Sequence, residues 1–168
     1  MDAFAKLTRR SFIKKSAALG AVATLGGMSA FAETASGPIK LTILHTNDVH
    51  SRIEPFPMDG SKYQGMAGVA RRSTLIQKIR AAEDNVLLLD AGDMFQGTPY
   101  FNLFGGKLEL ELMSKLGYDA GTFGNHEFDN GLDGLVKHLH CANFPMLTAN
   151  YDFRGTVIKG KTKDYTII

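Results

Sequence analysis

The chain has 168 residues, enough for one domain, and its 44% hydrophobic and 21% charged residues indicate a globular rather than a disordered protein. Its net charge of +2 belongs to the N-terminus, because residues 1–32 carry five Lys or Arg and one Asp, while the remainder is slightly acidic. Without a block of like charges or interleaved basic and aromatic residues, binding to a nucleic-acid polymer is not expected. The single cysteine, Cys141, excludes an intramolecular disulfide and a cysteine-based zinc site.

The N-terminus carries a targeting pattern. Thr8-Arg9-Arg10-Ser11-Phe12-Ile13-Lys14 resembles the twin-arginine export signal of bacteria, and a mildly apolar run with three glycines follows it. This run is too weak and too short for a good spanning helix, so an uncleaved membrane anchor is the less favoured alternative. Ala30-Phe31-Ala32 has the small-x-small form of a cleavage site. We therefore predict a signal peptide at 1–32, read by the twin-arginine translocase, a linker at 33–38, and a periplasmic or secreted protein without a stable membrane anchor.

Beyond the linker, residues 39–168 alternate between strand-like and helix-like segments. Short β-branched or apolar runs predict strands at 39–45, 86–90, 120–123 and 145–149. Apolar residues at helical spacing predict helices at 68–83, 107–116 and 132–141. This order predicts an α/β fold with a largely parallel sheet and right-handed crossovers. The continuous apolar run at 86–90 further predicts a strand that is buried on both faces.

Polar side chains follow three of the predicted strands: Asp48 and His50, then Asp93, then Asn125 and His126. Because sites in parallel sheets lie at the carboxyl ends of the strands, we expect these side chains to converge at one edge. Carboxylate and amide oxygens and neutral imidazole are ligands for divalent cations. In an extended segment, the alternate side chains of Asp48 and His50 would point the same way and could hold one cation together.

The neighbours of these residues suggest further roles. His126 could donate a proton, and Asp129 could hold its imidazole in one tautomer. Glu127 is expected to be a surface or loop carboxylate, and Asp90 a structural one. The segment 93–102, rich in aromatic residues, Gly and Pro, either lines a substrate cleft or is a packed structural loop, and the sequence favours neither.

Together, Asp48-x-His50, Gly92-Asp93 and Gly124-Asn125-His126-Glu127 resemble the calcineurin-like metallophosphoesterase superfamily. The longer segments 46–50, 92–99 and 124–131 are similar to bacterial exported 5′-nucleotidases. The resemblance implies a four-layer αββα sandwich and a catalytic domain at 39–168 that acts on a nucleotide or another phosphate ester.

The resemblance also implies two divalent metal ions, which could be Zn, Mn, Mg or Ca. Asp48 and His50 would hold the first ion, Asp93 would bridge both, and Asn125 would bind the second. His126 would stabilise the transferred phosphoryl group or protonate the leaving oxygen, with Asp129 orienting it. A hydroxide held by the metals would attack phosphorus in line.

The chain departs from this pattern after Tyr151. The family's downstream metal-binding histidines, its Gly-His-x-His segment and its nucleoside-recognising domain are not found there. We therefore expect the N-terminal part of a catalytic domain, truncated after its first strand–helix units and weak or inactive by itself. The alternatives are a 2′,3′-cyclic-nucleotide phosphodiesterase, a related sulfur-ester hydrolase, and a fragment that binds metal without catalysis.

The targeting pattern yields a prediction. Replacing Arg9 and Arg10 with Lys should block export and leave the folded domain intact, because only the paired guanidinium groups of the signal are changed. The measurement is the distribution of mature and precursor chain between cytoplasm and exterior. Mature protein that still appears outside the cytoplasm would show that another export pathway recognises this signal.

Overall fold

The computed structural model describes residues 38–168, so the predicted signal peptide at 1–32 and most of the linker at 33–38 lie outside the described residues. A parallel sheet forms the centre, with strands in the order β1 (Thr42–Thr46), β2 (Val86–Asp90) and β3 (Ala120–Gly121). Thr42 pairs with Val86 and Thr46 with Asp90. The predicted α/β class and the parallel sheet are therefore confirmed.

The helices of the described range are α1 (Val69–Ala82), α2 (Pro99–Phe104), α3 (Lys107–Leu116) and α4 (Gly131–His138), with 3₁₀ turns at His126–Phe128 and Leu139–Cys141. The prediction for α3 is confirmed at both ends, and that for α1 within one residue at each end. The predicted helix at 132–141 is divided between α4 and the second 3₁₀ turn. Within 38–168, no helix is both long and apolar enough to cross a membrane.

Helix α2 begins within the segment 93–102, for which the sequence predicts a loop. Its signals are local: Thr98 has extended backbone at the N-cap, Pro99 opens the helix, and Gly105 ends it in the left-handed region at φ 61°. Phe101 of this helix is buried, as are Met94 and Phe95 just before it. These side chains belong to the hydrophobic core, so packing accounts for much of the aromatic content of segment 93–102.

The core lies on one face of the sheet. Leu88 is buried among side chains of α1, α3 and α4, whereas its neighbours Leu87 and Leu89 are only partly buried. On the edge strand, Ile43 is 56% exposed. The expectation that strand 86–90 is buried on both faces is thus wrong for the described residues, because Leu87 and Leu89, which alternate with the buried Leu88, remain partly exposed.

Three predicted strands are shorter in the structure. β3 covers only Ala120–Gly121 of the predicted 120–123. β1 begins at Thr42 rather than at residue 39, and Ile39 and Leu41 are exposed. The predicted strand at 145–149 is reduced to two isolated parallel bridges, one from Gly121 to Met146 and one from Leu147 to Lys163. These bridges still continue the parallel order of the sheet beyond β3.

Candidate metal centre

Hydrogen bonding between β1 and β2 continues after both strands have ended. The Asp48 N–H donates to the Gly92 carbonyl at 3.0 Å, and the His50 N–H donates to the Asp93 carbonyl at 3.1 Å. The Ser51 N–H extends this series by donating to the Met94 carbonyl at 3.0 Å. The loop that carries Asp48 and His50 is therefore fixed directly beside the loop that carries Asp93.

The backbone in these loops is unusual. Asp48, His50 and Asp93 have φ values of 51°, 45° and 55°, in the left-handed region that residues other than glycine rarely adopt. The expectation of an extended segment at Asp48–His50 is therefore wrong, because the backbone turns to donate to the β2 loop. Strained conformations of this kind concentrate at functional sites.

Three of the predicted side chains come together at this edge. His50, Asp93 and His126 each offer a ligand atom, and these atoms all lie within 4.8 Å of one another. The His50 and His126 rings have centroids 5.1 Å apart and are nearly perpendicular, and His50 Nε2 lies 3.6 Å from Asp48 Oδ1. Carboxylate and imidazole atoms at such spacing fit a divalent cation. Asn125 is exposed at the start of the adjacent 3₁₀ turn.

His126 is held at two points. Its backbone N–H donates to Asp93 Oδ1 at 3.0 Å, and its ring Nδ1 lies 2.8 Å from Asp129 Oδ2. The hydrogen bond to Asp129 raises the pKa of His126, with smaller contributions from the charges of Asp129, Asp93 and Glu127. A proton on Nδ1 faces Asp129, so Nε2 is the ring nitrogen left for a substrate or a cation.

Glu127 is not the surface carboxylate that the sequence suggested. It is 1% exposed, and its two oxygens accept hydrogen bonds from four backbone N–H groups, those of Asp93, Met94, Phe95 and Gly124. Burial raises the pKa of Glu127, while the N–H donors favour its charged form. The position of Glu127 beside Asn125 and His126 was the signal in the sequence for a role at the site. Sequence spacing alone does not show whether a side chain in a loop points inward or outward.

Asp90 is a structural carboxylate, as the sequence indicated. Its Oδ1 accepts from the Gly92 N–H at 2.9 Å and its Oδ2 accepts from the Thr46 hydroxyl at 2.6 Å. The Tyr118 hydroxyl lies 2.6 Å from the same Thr46 oxygen. Burial raises the pKa of both Asp90 and Tyr118. This network connects the ends of β1 and β2 to the segment that enters β3.

Two glycines allow the loops to approach closely. An added Cβ at Gly92 would lie 2.9 Å from the Cα of Gly124, and one at Gly124 would lie 2.7 Å from the carboxyl carbon of Asp93. Neither distance is compatible with a side chain. The glycines that precede Asp93 and Asn125 are therefore required by the contact between the β2 and β3 loops.

A cavity of about 400 Å³ opens beside Asp48 and His50. Arg52, Phe56 and Arg72 contribute to its lining. The Arg52 guanidinium lies 4.3 Å from the centre of the Phe56 ring. The donor cluster therefore borders a space that is large enough for part of a small molecule.

Comparison with known proteins extends these observations. Residues 41–166 match the family described as calcineurin-like phosphoesterase. The snake venom 5′-nucleotidase of Gloydius brevicauda is 50% identical over 141 residues, which cover 80% of this chain and 24% of that protein.

Solved structures agree with this similarity. The 5′-nucleotidase precursor of Thermus thermophilus gives a TM-score of 0.70 at 41% identity, covering 76% of this chain and 26% of that one. The NAD nucleotidase of Haemophilus influenzae gives 0.69 at 36% identity, covering 76% and 24%. The chain thus spans about a quarter of the length of these relatives.

The contact between loops yields a prediction. Gly124→Ala should weaken binding of Mn²⁺ or Zn²⁺ by about 10–100-fold, because the added methyl group displaces the Asp93 carboxylate. The measurement is isothermal titration of the metal-free chain. Gly131→Ala is the control, since a Cβ there meets nothing within 4 Å although its φ of 69° makes alanine strained. Equal metal affinity in the two variants would contradict the explanation.

Proposed function

Since the chain belongs to the calcineurin-like phosphoesterase family, we propose that it forms the metal-binding part of a phosphoric ester hydrolase of the 5′-nucleotidase type. The observation that carries this proposal is the meeting of His50, Asp93 and His126 at the carboxyl ends of three neighbouring parallel strands. The substrate would be a nucleotide or another phosphate ester, as the names of the relatives suggest.

The proposed site holds two divalent cations. Asp48 and His50 would hold one, Asn125 would hold the other, and Asp93 would be shared between them. The donor set of carboxylate, amide and imidazole suits Zn, Mn, Mg or Ca to different degrees. When bound, the cations would supply positive charge to the phosphate oxygens and lower the pKa of water.

His126 and Asp129 perform the proton chemistry in this proposal. Asp129 holds Nδ1, so Nε2 can carry a proton toward the leaving oxygen of the ester or stabilise the charge on the phosphoryl group. The backbone bond from His126 to Asp93 keeps the imidazole at a fixed position relative to the proposed bridging carboxylate. A general acid is then held beside the cations without being one of their ligands.

The route out of the cytoplasm is part of the proposal. The pattern at residues 8–14 supports recognition by the twin-arginine translocase and a periplasmic or secreted location. That route carries folded proteins, which suits a chain that acquires its cations before export.

The function is tested by metal-dependent hydrolysis of a nucleoside 5′-monophosphate. In the full-length protein of which this chain is expected to be a part, the metal-free form should release no phosphate, and addition of Mn²⁺ or Zn²⁺ should restore release. Asp93→Ala should abolish it, whereas Asp84→Ala, an exposed carboxylate before β2, should not. Metal binding without hydrolysis of any ester would favour the non-catalytic alternative. Preferential turnover of 2′,3′-cyclic nucleotides, sulfur esters or NAD would move the proposal to that substrate class.

The two neighbouring residues Asn125 and His126 should respond differently to substitution. Asn125→Ala should lower metal occupancy, because it removes a proposed ligand oxygen. His126→Asn should keep the metal and slow turnover by about 10²–10⁴-fold, the usual contribution of a general acid. The loss should be smaller for nitrophenyl phosphate, whose leaving group needs less protonation. Asp129→Asn should give a milder version of the same effect.

Elemental analysis and turnover on both esters distinguish these roles. If His126→Asn loses metal as Asn125→Ala does, then His126 is a ligand and the assignment is wrong. If it keeps the metal and loses the same factor on both esters, then His126 stabilises phosphoryl charge and does not protonate the leaving oxygen.

A further inference from the structure

One carboxylate joins the two loops that carry the proposed ligands. Glu127 Oε1 accepts from the Met94 N–H at 2.8 Å and from the Phe95 N–H at 3.1 Å. Its Oε2 accepts from the Asp93 N–H at 2.9 Å and from the Gly124 N–H at 2.6 Å. Three donors therefore belong to the loop after β2 and one to the loop after β3.

The β2 loop is shaped to present these donors. Gly92 and Asp93 have φ values of 100° and 55°, which turn the successive N–H groups of residues 93–95 toward one point. Concavities made of successive backbone N–H groups are binding sites for anions. Here a carboxylate of the chain itself fills the concavity. The conformation that directs the Asp93 side chain therefore depends on an acceptor at this position.

The connection between the loops is reciprocal. The Asp93 N–H donates to the Glu127 side chain, and the Asp93 side chain accepts from the N–H of His126, the residue before Glu127. Each loop thus contributes a carboxylate that accepts a hydrogen bond from the backbone of the other loop. Two crossed hydrogen bonds of this kind fix both the distance and the relative rotation of the loops.

We propose that Glu127 is a positioning residue that sets the separation between Asp93 and the Asn125–His126 pair before any cation binds. Its oxygens are occupied by backbone donors, so it acts through the loops rather than on substrate or metal. The inference rests on the proposed function only in treating Asp93 and Asn125 as ligands.

Hydrogen exchange in the metal-free wild-type chain tests the proposal without a substitution. The amides of Asp93, Met94, Phe95 and Gly124 should already be protected when metal is absent, because their acceptor belongs to the protein. Rapid exchange of these amides in the metal-free chain, with slow exchange only after Mn²⁺ or Zn²⁺ is added, would overturn it.

Glu127→Gln tests the same point by substitution. Glutamine keeps the shape but offers one oxygen, and its NH₂ group would face two N–H donors. Exchange at residues 93–95 should accelerate, and Mn²⁺ or Zn²⁺ affinity measured by titration should fall by about 10–100-fold. Glu109→Gln is the matched control: Glu109 is 4% exposed, and within residues 38–168 its carboxylate has no hydrogen-bond partner. It should leave metal affinity and exchange at 93–95 unchanged.

The results separate this inference from the proposed function, since neither exchange nor metal titration requires substrate. Wild-type metal affinity in Glu127→Gln would overturn the inference even if the wild type hydrolyses nucleotides. A weakened metal site in Glu127→Gln, together with a full-length protein that hydrolyses no ester, would support the inference and contradict the function. If Glu127→Gln does not fold, the wild-type exchange result decides.

Discussion

The site depends on backbone hydrogen bonds that continue the β1–β2 pairing beyond the ends of both strands. The bonds from Asp48, His50 and Ser51 to the loop after β2 keep the β1–β2 register for several residues beyond Asp90. A shift of that register by one residue would exchange the two faces of β2, moving Leu88 out of the core and separating the polar motifs. Core burial and assembly of the donor cluster are therefore enforced by the same alignment.

Below this edge, a buried polar network makes the alignment cooperative. Asp90 accepts from Thr46 of the paired strand and from Gly92 of the next loop, and Tyr118 contacts Thr46 from the chain entering β3. A buried carboxylate is costly unless it is hydrogen-bonded, so each partner must be in place for the others to be stable. The loops that carry the proposed ligands are thus held in place by hydrogen bonds that do not depend on a bound metal.

Much of this arrangement follows from the sequence. The leucine spacing of α3, the apolar run of β2 and the placement of polar motifs after strands were sufficient to predict the parallel order and the family, and the family's α/β fold is confirmed by the solved structures. What could not be predicted depends on contacts between distant segments. Asp48 leaves the extended conformation because its N–H is bonded to Gly92, and Glu127 turns inward because three of its donors lie in another loop.

The distribution of backbone hydrogen-bond donors explains why some acidic residues have a structural role and others are suited to bind a cation. An ionised carboxylate has about four lone-pair sites. Those of Glu127 are filled by four backbone donors, and both oxygens of Asp90 are also engaged. Within the described residues, the Asp93 carboxylate accepts one hydrogen bond, on Oδ1, and its Oδ2 accepts none.

Among the proposed ligands, the carboxylate oxygens that backbone donors leave unused therefore belong to Asp93 and the exposed Asp48. The buried carboxylates add to the negative potential without competing as ligands, because their own oxygens are already satisfied. In the proposed site, a divalent cation would be attracted to these two carboxylates, which follow β1 and β2 in the sequence. The position of Asp48 and Asp93 after a strand was the signal in the sequence. The number of backbone donors near each carboxylate explains why these two, rather than Asp90 or Glu127, are suited to bind a cation.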